Sequence, residues 1–304
     1  MTTPFWRVPE RRIGWQYPLA FVIFVLAQGL GVLAGLGANH AAHGSATPGD
    51  PSLTPWPGLA VMLAVQAVVS VALFVAVIRL LARRPVHEFG REGARREFLA
   101  GLAVGTGLML VVTGVLAALG VYRVSGASLN TGIAVGLMTG VGAAFAEEIV
   151  FRGFLLRLLD AWLGTWPALT LSAALFGGVH LANPGATPLG AVAIMIEAGI
   201  MLGAAYLLTR RLWLPISIHL AWNFVQGGIF GGNVSGTDLP SPHGLFTSTV
   251  TGPDWLSGGT TGIEGSVVTV VAGAATAIWM LREAGRRGHL TPARLTPTAR
   301  RSAH

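Results

Sequence analysis

The chain has no cysteine and no lysine, and only 11% of its 304 residues are charged. The missing cysteines exclude disulfide frameworks, thiolate nucleophiles and Cys-ligated metal sites. The shortage of charge excludes an ordinary soluble globule, in which about a quarter of the residues are charged. With 52% of the residues hydrophobic, the composition is that of an integral membrane protein. Because lysine is absent, all 20 basic residues are arginine, against 13 acidic ones. A net charge of +7 raises the question of nucleic acid. The arginines, however, gather at the ends of apolar stretches, where a membrane protein meets anionic headgroups. The basicity therefore reads as topology, and no nucleic-acid partner is expected. Glycine is plentiful at 42 residues and recurs inside the apolar stretches, as close helix packing in lipid requires.

A membrane-crossing helix needs about 20 mostly apolar residues. Eight stretches meet or approach that length: 13–37, 58–82, 98–120, 132–158, 166–183, 189–209, 212–231 and 264–281. They are apolar all round, as buried or lipid-facing helices are. The first follows Arg7, Arg11 and Arg12, as a signal peptide would. Its run of about 25 residues is longer than a signal peptide's apolar core, so an uncleaved span is expected. Arginines crowd every second loop: before span one, between spans two and three, between six and seven, and after eight. The opposite loops contain Arg123 alone. The positive-inside rule then puts both termini in the cytoplasm. The expected fold is all-α: one polytopic membrane helix bundle, residues 1–304, with about eight transmembrane helices. Residues 232–263, rich in Gly, Ser, Thr and Pro, read as a flexible external loop. Residues 283–304 read as a disordered cytoplasmic tail.

An ionisable residue in mid-membrane costs about 2.5–3.5 kcal/mol on insertion scales and marks a functional site by default. Span four holds Glu147, Glu148 and Arg152; span five holds His180; span six holds Glu197; span seven holds His219 and Asn223. At about 1.5 Å per residue, Glu147, His180, His219 and Asn223 fall within about 10 Å of one another in depth. Three helices thus offer catalytic-type groups at one level. Glu148 and Arg152 stand four residues apart and can pair on one helix face. Glu147 points about 100° away, and a carboxylate without a good partner is a candidate general base. His219 and Asn223 share a helix face and can both donate hydrogen bonds, as an oxyanion hole needs. Phe176, one turn before His180, is expected to pack against it. Glu197 is given no catalytic role: it could pair with a histidine or line a cavity.

These residues make three motifs: EExxxR at Glu147–Arg152, FxxxH at Phe176–His180 and HxxxN at His219–Asn223. In that order, each inside an apolar span, they resemble the CPBP family, intramembrane proteases related to type II CAAX prenyl proteases and bacteriocin-immunity proteins. The resemblance covers a protease-like core over about 130–231. It implies an endopeptidase acting on a membrane-embedded or membrane-associated peptide, in which Glu147 and His180 activate water. It also implies that His219 and Asn223 stabilise the oxyanion, and that Glu148 and Arg152 shape the site or hold a substrate carboxylate. No cofactor is expected; the alternative is a zinc held by His180, His219 and Glu147, although no HExxH helix is present. A Lys-free, Arg-rich composition suggests a bacterial cytoplasmic membrane, where prenylated substrates are not the rule. A proton-coupled transporter and a non-catalytic immunity protein are the rival readings.

Overall fold

Each of the eight apolar stretches forms helix, because a helix satisfies its own backbone polar groups where no water can. The computed structural model describes residues 13–43, 58–237 and 244–293. In it α1 spans Ile13–His43, α2 spans Gly58–Val77 with a π turn over Ile78–Ala82, and α3 spans Ala94–Ala118. The strand β1 covers Tyr122–Ala127. The next rod joins α4 (Thr131–Glu148), a π segment (Ile149–Leu156) and α5 (Arg157–Leu163). α6 (Thr165–Val179) ends in a 3-10 turn at His180–Ala182. A further rod joins α7 (Pro188–Ile194), a π segment (Met195–Ile200) and α8 (Met201–Thr209). α9 (Trp213–Asn223) runs into a π segment at Phe224–Ile229. Then come β2 (Phe246–Val250), the short α10 (Asp254–Ser257) and α11 (Val267–Arg286).

Among the described residues, six helices are long and apolar enough to cross a membrane. The other two expected spans are shorter: α6 has 15 residues, and α9 has 11 followed by six of π helix. A 15-residue helix is about 23 Å long against about 30 Å of hydrocarbon. α9 is nearly all buried, packed against α3, α4 and α8, so it serves the interior of the bundle. Large apolar side chains such as Phe21, Leu33, Leu80, Val111 and Val271 stand exposed around the bundle, a surface that lipid accepts and water rejects. The molecule is an integral, multi-pass helical membrane protein.

The loops fall into two sets. At one end, Arg210 pairs with Asp160 at 2.7 Å, Arg84 pairs with Glu88 at 2.5 Å, and Arg211 bonds the carbonyls of Gly90 and Glu92. At the other, Gly185 N donates to the Gly236 carbonyl and Gly236 N to that of Thr261. This division matches the arginine alternation in the sequence. Small residues set the spacing between rods. A Cβ on Gly140 would meet the Leu220 carbonyl at 2.9 Å, and one on Gly273 would meet the Glu197 Cα at 2.7 Å. Only glycine lets α4 approach α9, and α11 approach the 195–200 segment, that closely.

Regular structure occurs in the described parts of the two segments read as a flexible external loop and a cytoplasmic tail. Segment 232–263, expected to be irregular, contains β2, α10 and 3-10 turns at Gly259–Thr261 and Ile263–Gly265. β2 pairs antiparallel with β1, Tyr122 opposite Val250 and Ala127 opposite Phe246, with a bulge between Val124 and Gly126. Alternating Ser and Thr over 246–250 suit a strand, and the partner strand lies more than a hundred residues away, where a local reading does not look. The tail from 283 is helical to Arg286, and its next residues dock. Thr291 N donates to Thr165 Oγ1 at 2.8 Å, and His289 Nδ1 donates to the Leu208 carbonyl at 2.9 Å. The rest of the expected tail, 294–304, lies outside the described residues, as do residues 1–12.

Candidate active site

Glu147 and Glu148 end α4 where it passes into the π segment, and they face different surroundings. Glu148 is fully buried; its Oε1 accepts from Arg152 Nη1 at 2.8 Å and from His219 Nδ1 at 2.9 Å. Arg152, also buried, sends Nη2 to the carbonyls of Ala198 and Gly199, both at 3.1 Å, and lies 4.3 Å over the Phe176 ring. A guanidinium in lipid depth is thus met by one carboxylate, two carbonyls and a π face, as a buried charge requires. Neither Glu148 nor Arg152 lines either of the two cavities described below.

Glu147 turns the other way, onto the wall of a cavity of about 590 Å³ at mid-bundle. Its side chain is 25% exposed, and its Oε2 has no hydrogen-bond partner. The nearest cation-capable group is His180 Nε2, 3.9 Å from Oε2. His180 begins the 3-10 turn that ends α6, and its Nδ1 donates to the Phe176 carbonyl at 2.6 Å. That bond commits the proton of a neutral ring to Nδ1 and leaves the Nε2 lone pair facing Glu147. A separation of 3.9 Å is too long for a direct bond, yet it leaves room for one water about 2.8 Å from each atom to bridge it. His219 and Asn223 open onto the same cavity from α9, and the rings of Phe176 and His180 pack with centroids 4.8 Å apart.

Much of the remaining wall is apolar, with Tyr17, Thr139, Asn183, Ser235 and Thr237 among it. Phe21 and Phe24 enter from α1, Val150 and Phe151 from the π segment after α4, and Val179 from α6. Behind His180, His219 and Asn223 lies a second, smaller pocket, which Glu197 lines. Glu197 is 1% exposed and neither of its oxygens has a hydrogen-bond partner. Neither an ion pair nor a hydrogen bond links it to a histidine among the described residues, so of the two places the sequence left open, the cavity wall is the one it takes.

The sequence reading passed over two residues here. Glu264, at the foot of α11, accepts from Trp222 Nε1 at 3.0 Å and from Ser235 N and Oγ at 2.6 and 2.7 Å. Ser235 has φ 51°, in the left-handed region that a non-glycine residue seldom enters, and lines both cavities. Glu264 and the Asn183 amide, which donates to the Ser235 carbonyl at 2.7 Å, hold it there. The sequence signal was a lone glutamate between a Gly-rich loop and an apolar helix, which reads equally well as a surface cap.

Zinc was the alternative occupant, with His180, His219 and Glu147 as ligands. A catalytic zinc takes three protein ligands converging at about 2.0–2.2 Å. The Nδ1 atoms of both histidines are held, by the Phe176 carbonyl and by Glu148, which leaves each Nε2 as the nitrogen that could ligate. Among the described residues no three His, Asp or Glu side chains gather as a metal site.

Residues 127–225 match the family model described as Rce1-like: type II CAAX prenyl endopeptidase Rce1-like. This is the family group that the three motifs resemble, and the matched segment contains all three. No curated protein and no solved structure gives a significant match to the chain.

Proposed function

We propose that this chain, Rce1-like over residues 127–225, is an intramembrane endopeptidase of glutamate type. It would hydrolyse a peptide bond in a membrane-embedded or membrane-associated substrate, without a metal, in a bacterial cytoplasmic membrane. The observation that carries the reading is the facing pair Glu147 and His180, 3.9 Å apart on the wall of a mostly apolar cavity at mid-bundle. The apolar wall suits an oily peptide segment, and the pair suits a water held between a carboxylate and a lone pair.

In this mechanism Glu147 takes a proton from the water while His180 Nε2 orients it. The water oxygen bonds to the peptide carbonyl carbon, and the carbonyl electrons move to oxygen. Asn223 donates its amide hydrogen to that oxyanion. His219 joins it through Nε2–H as an imidazolium, since the Glu148 carboxylate at 2.9 Å from Nδ1 balances the second proton. When the C–N bond breaks, Glu147 returns its proton to the leaving amine, and acid and amine are released.

The test is Glu147→Gln in purified protein reconstituted with a labelled transmembrane peptide. Expected is a loss of cleavage of about 10²–10⁴-fold with thermal stability unchanged. Full cleavage by the variant sinks the assignment of Glu147. A wild type that cleaves nothing but carries a proton-linked flux, lost in the variant, replaces the protease with a transporter.

A further inference from the structure

A hydrolase buried in lipid consumes one water per turnover and must draw it from somewhere, and the side of the large cavity formed by Phe21, Phe24, Val150, Phe151, Leu155 and Val179 offers water no partner. The smaller pocket lies on the far side of His180, His219 and Asn223. Its free space is about 20 Å³, which is room for one water. A buried water also needs two to four polar partners. Glu197 offers two oxygens with no partner, although the residue is 1% exposed. His219 Nε2 is left free by the bond from Nδ1 to Glu148. The Asn223 amide makes no hydrogen bond to the described protein and lines the same pocket. The other carboxylate there, Glu264, is already satisfied by Trp222 and Ser235. Glu197 is therefore an acceptor with a place for a donor beside it and no protein group to fill that place.

We infer that this pocket is a water-holding site, and that Glu197 is a positioning residue that keeps one water ready behind the catalytic groups. The water donates to Glu197 and hydrogen-bonds to Asn223 or His219; when the water between Glu147 and His180 is consumed, it moves forward, past His180. Approach is from the end of the bundle where Ser235 and Glu264 sit, since Ser235 lines both cavities. Glu197 itself neither breaks nor makes a bond. The closeness of Gly273 to the Glu197 backbone fits this role, because α11 then seals the back of the pocket from lipid.

The inference rests on the protease reading for its purpose, but the site can be tested without activity. A structure of the full-length protein that resolves ordered water is compared with those of Glu197→Gln and Glu197→Met. Water is expected against residue 197 in the wild type and the Gln variant, and not in Glu197→Met, whose side chain fills the pocket without an acceptor. A dry wild-type pocket overturns the site, whatever the enzyme does. Kinetics then test the purpose. Glu197→Met should lower kcat about tenfold, equal to about 1.4 kcal/mol on the barrier, with KM unchanged, while Glu197→Gln stays near wild type. Met at full kcat, or a loss shared by kcat and thermal stability in both variants, removes the positioning role.

Discussion

Neutralising Glu148 should cost more stability than deleting the whole ion pair it belongs to. Glu148 and Arg152 are 0% and 1% exposed, and Glu148 Oε1 receives both Arg152 Nη1 and His219 Nδ1. Glu148→Gln keeps the volume and one carbonyl acceptor but leaves the guanidinium without a counter-charge, met only by neutral carbonyls and the Phe176 face. Stranding one member of a buried pair costs about 3–5 kcal/mol; the retained acceptor puts this change near about 3 kcal/mol. Replacing both partners by apolar groups is near neutral, so Glu148→Gln with Arg152→Met should recover most of that loss. The assay is unfolding in mixed micelles, followed by tryptophan fluorescence, for wild type, both single variants and the double. The coupling should exceed about 1.5 kcal/mol. Additive losses, or a Glu148→Gln protein as stable as wild type, would refute the idea that this pair is an uncompensated charge held in check. Peptide cleavage adds a second reading. The double variant regains its fold but not its activity, because His219 has lost the anion that balances its second proton.

Asn223→Ala should lower kcat by about 10²–10³-fold with little change in KM, the usual cost of an oxyanion donor, as measured by initial rates on the same peptide. Gly273→Leu should destabilise the bundle by about 1–3 kcal/mol, since its Cβ meets the Glu197 backbone at 2.7 Å. Gly178→Ala, where nothing lies within 4 Å, is the control that should unfold with wild type. The docked segment after α11 should loosen in acid. Burial holds the His289 imidazole below its ordinary value of 6.5, so its contribution is present above that pH and is lost as pH falls below it. Hydrogen exchange at the Thr291 amide should therefore quicken on acidification in wild type, once corrected for intrinsic rates, and lose that dependence in His289→Leu.

Much of the bundle was legible because membrane depth forces a simple code. Apolar length gave the eight helical segments to within a few residues at most ends, and the placement of arginine gave the two sets of loops. The candidate site was legible for the same reason: a carboxylate or imidazole inside an apolar run stands out against its neighbours. Glu197 and Glu148 looked alike in sequence and separated only in space, one bare in a pocket and the other shared by Arg152 and His219. Glu264 was missed because it sits where a helix begins, a position at which exposed glutamates are common. The ribbon of β1 and β2 was missed because its strands are short and pair across four helical segments.

The π segments were also hidden, and they bear most directly on how the site is built. A π segment follows Glu148, another contains Glu197, and a third follows Asn223. No side-chain pattern separates π from α, since both use the same helix-forming residues. The wider turn shifts each carbonyl off the i to i−4 ladder, and the Ala198 and Gly199 carbonyls, inside the second segment, are the ones that meet Arg152. The Ala198 oxygen also accepts from Met201 N, so it meets Arg152 with its second lone pair. Arg152 therefore does not depend on Glu148 alone, which His219 also needs. The irregular turns thus let one carboxylate serve two cations, and that sharing holds His219 in place beside Asn223.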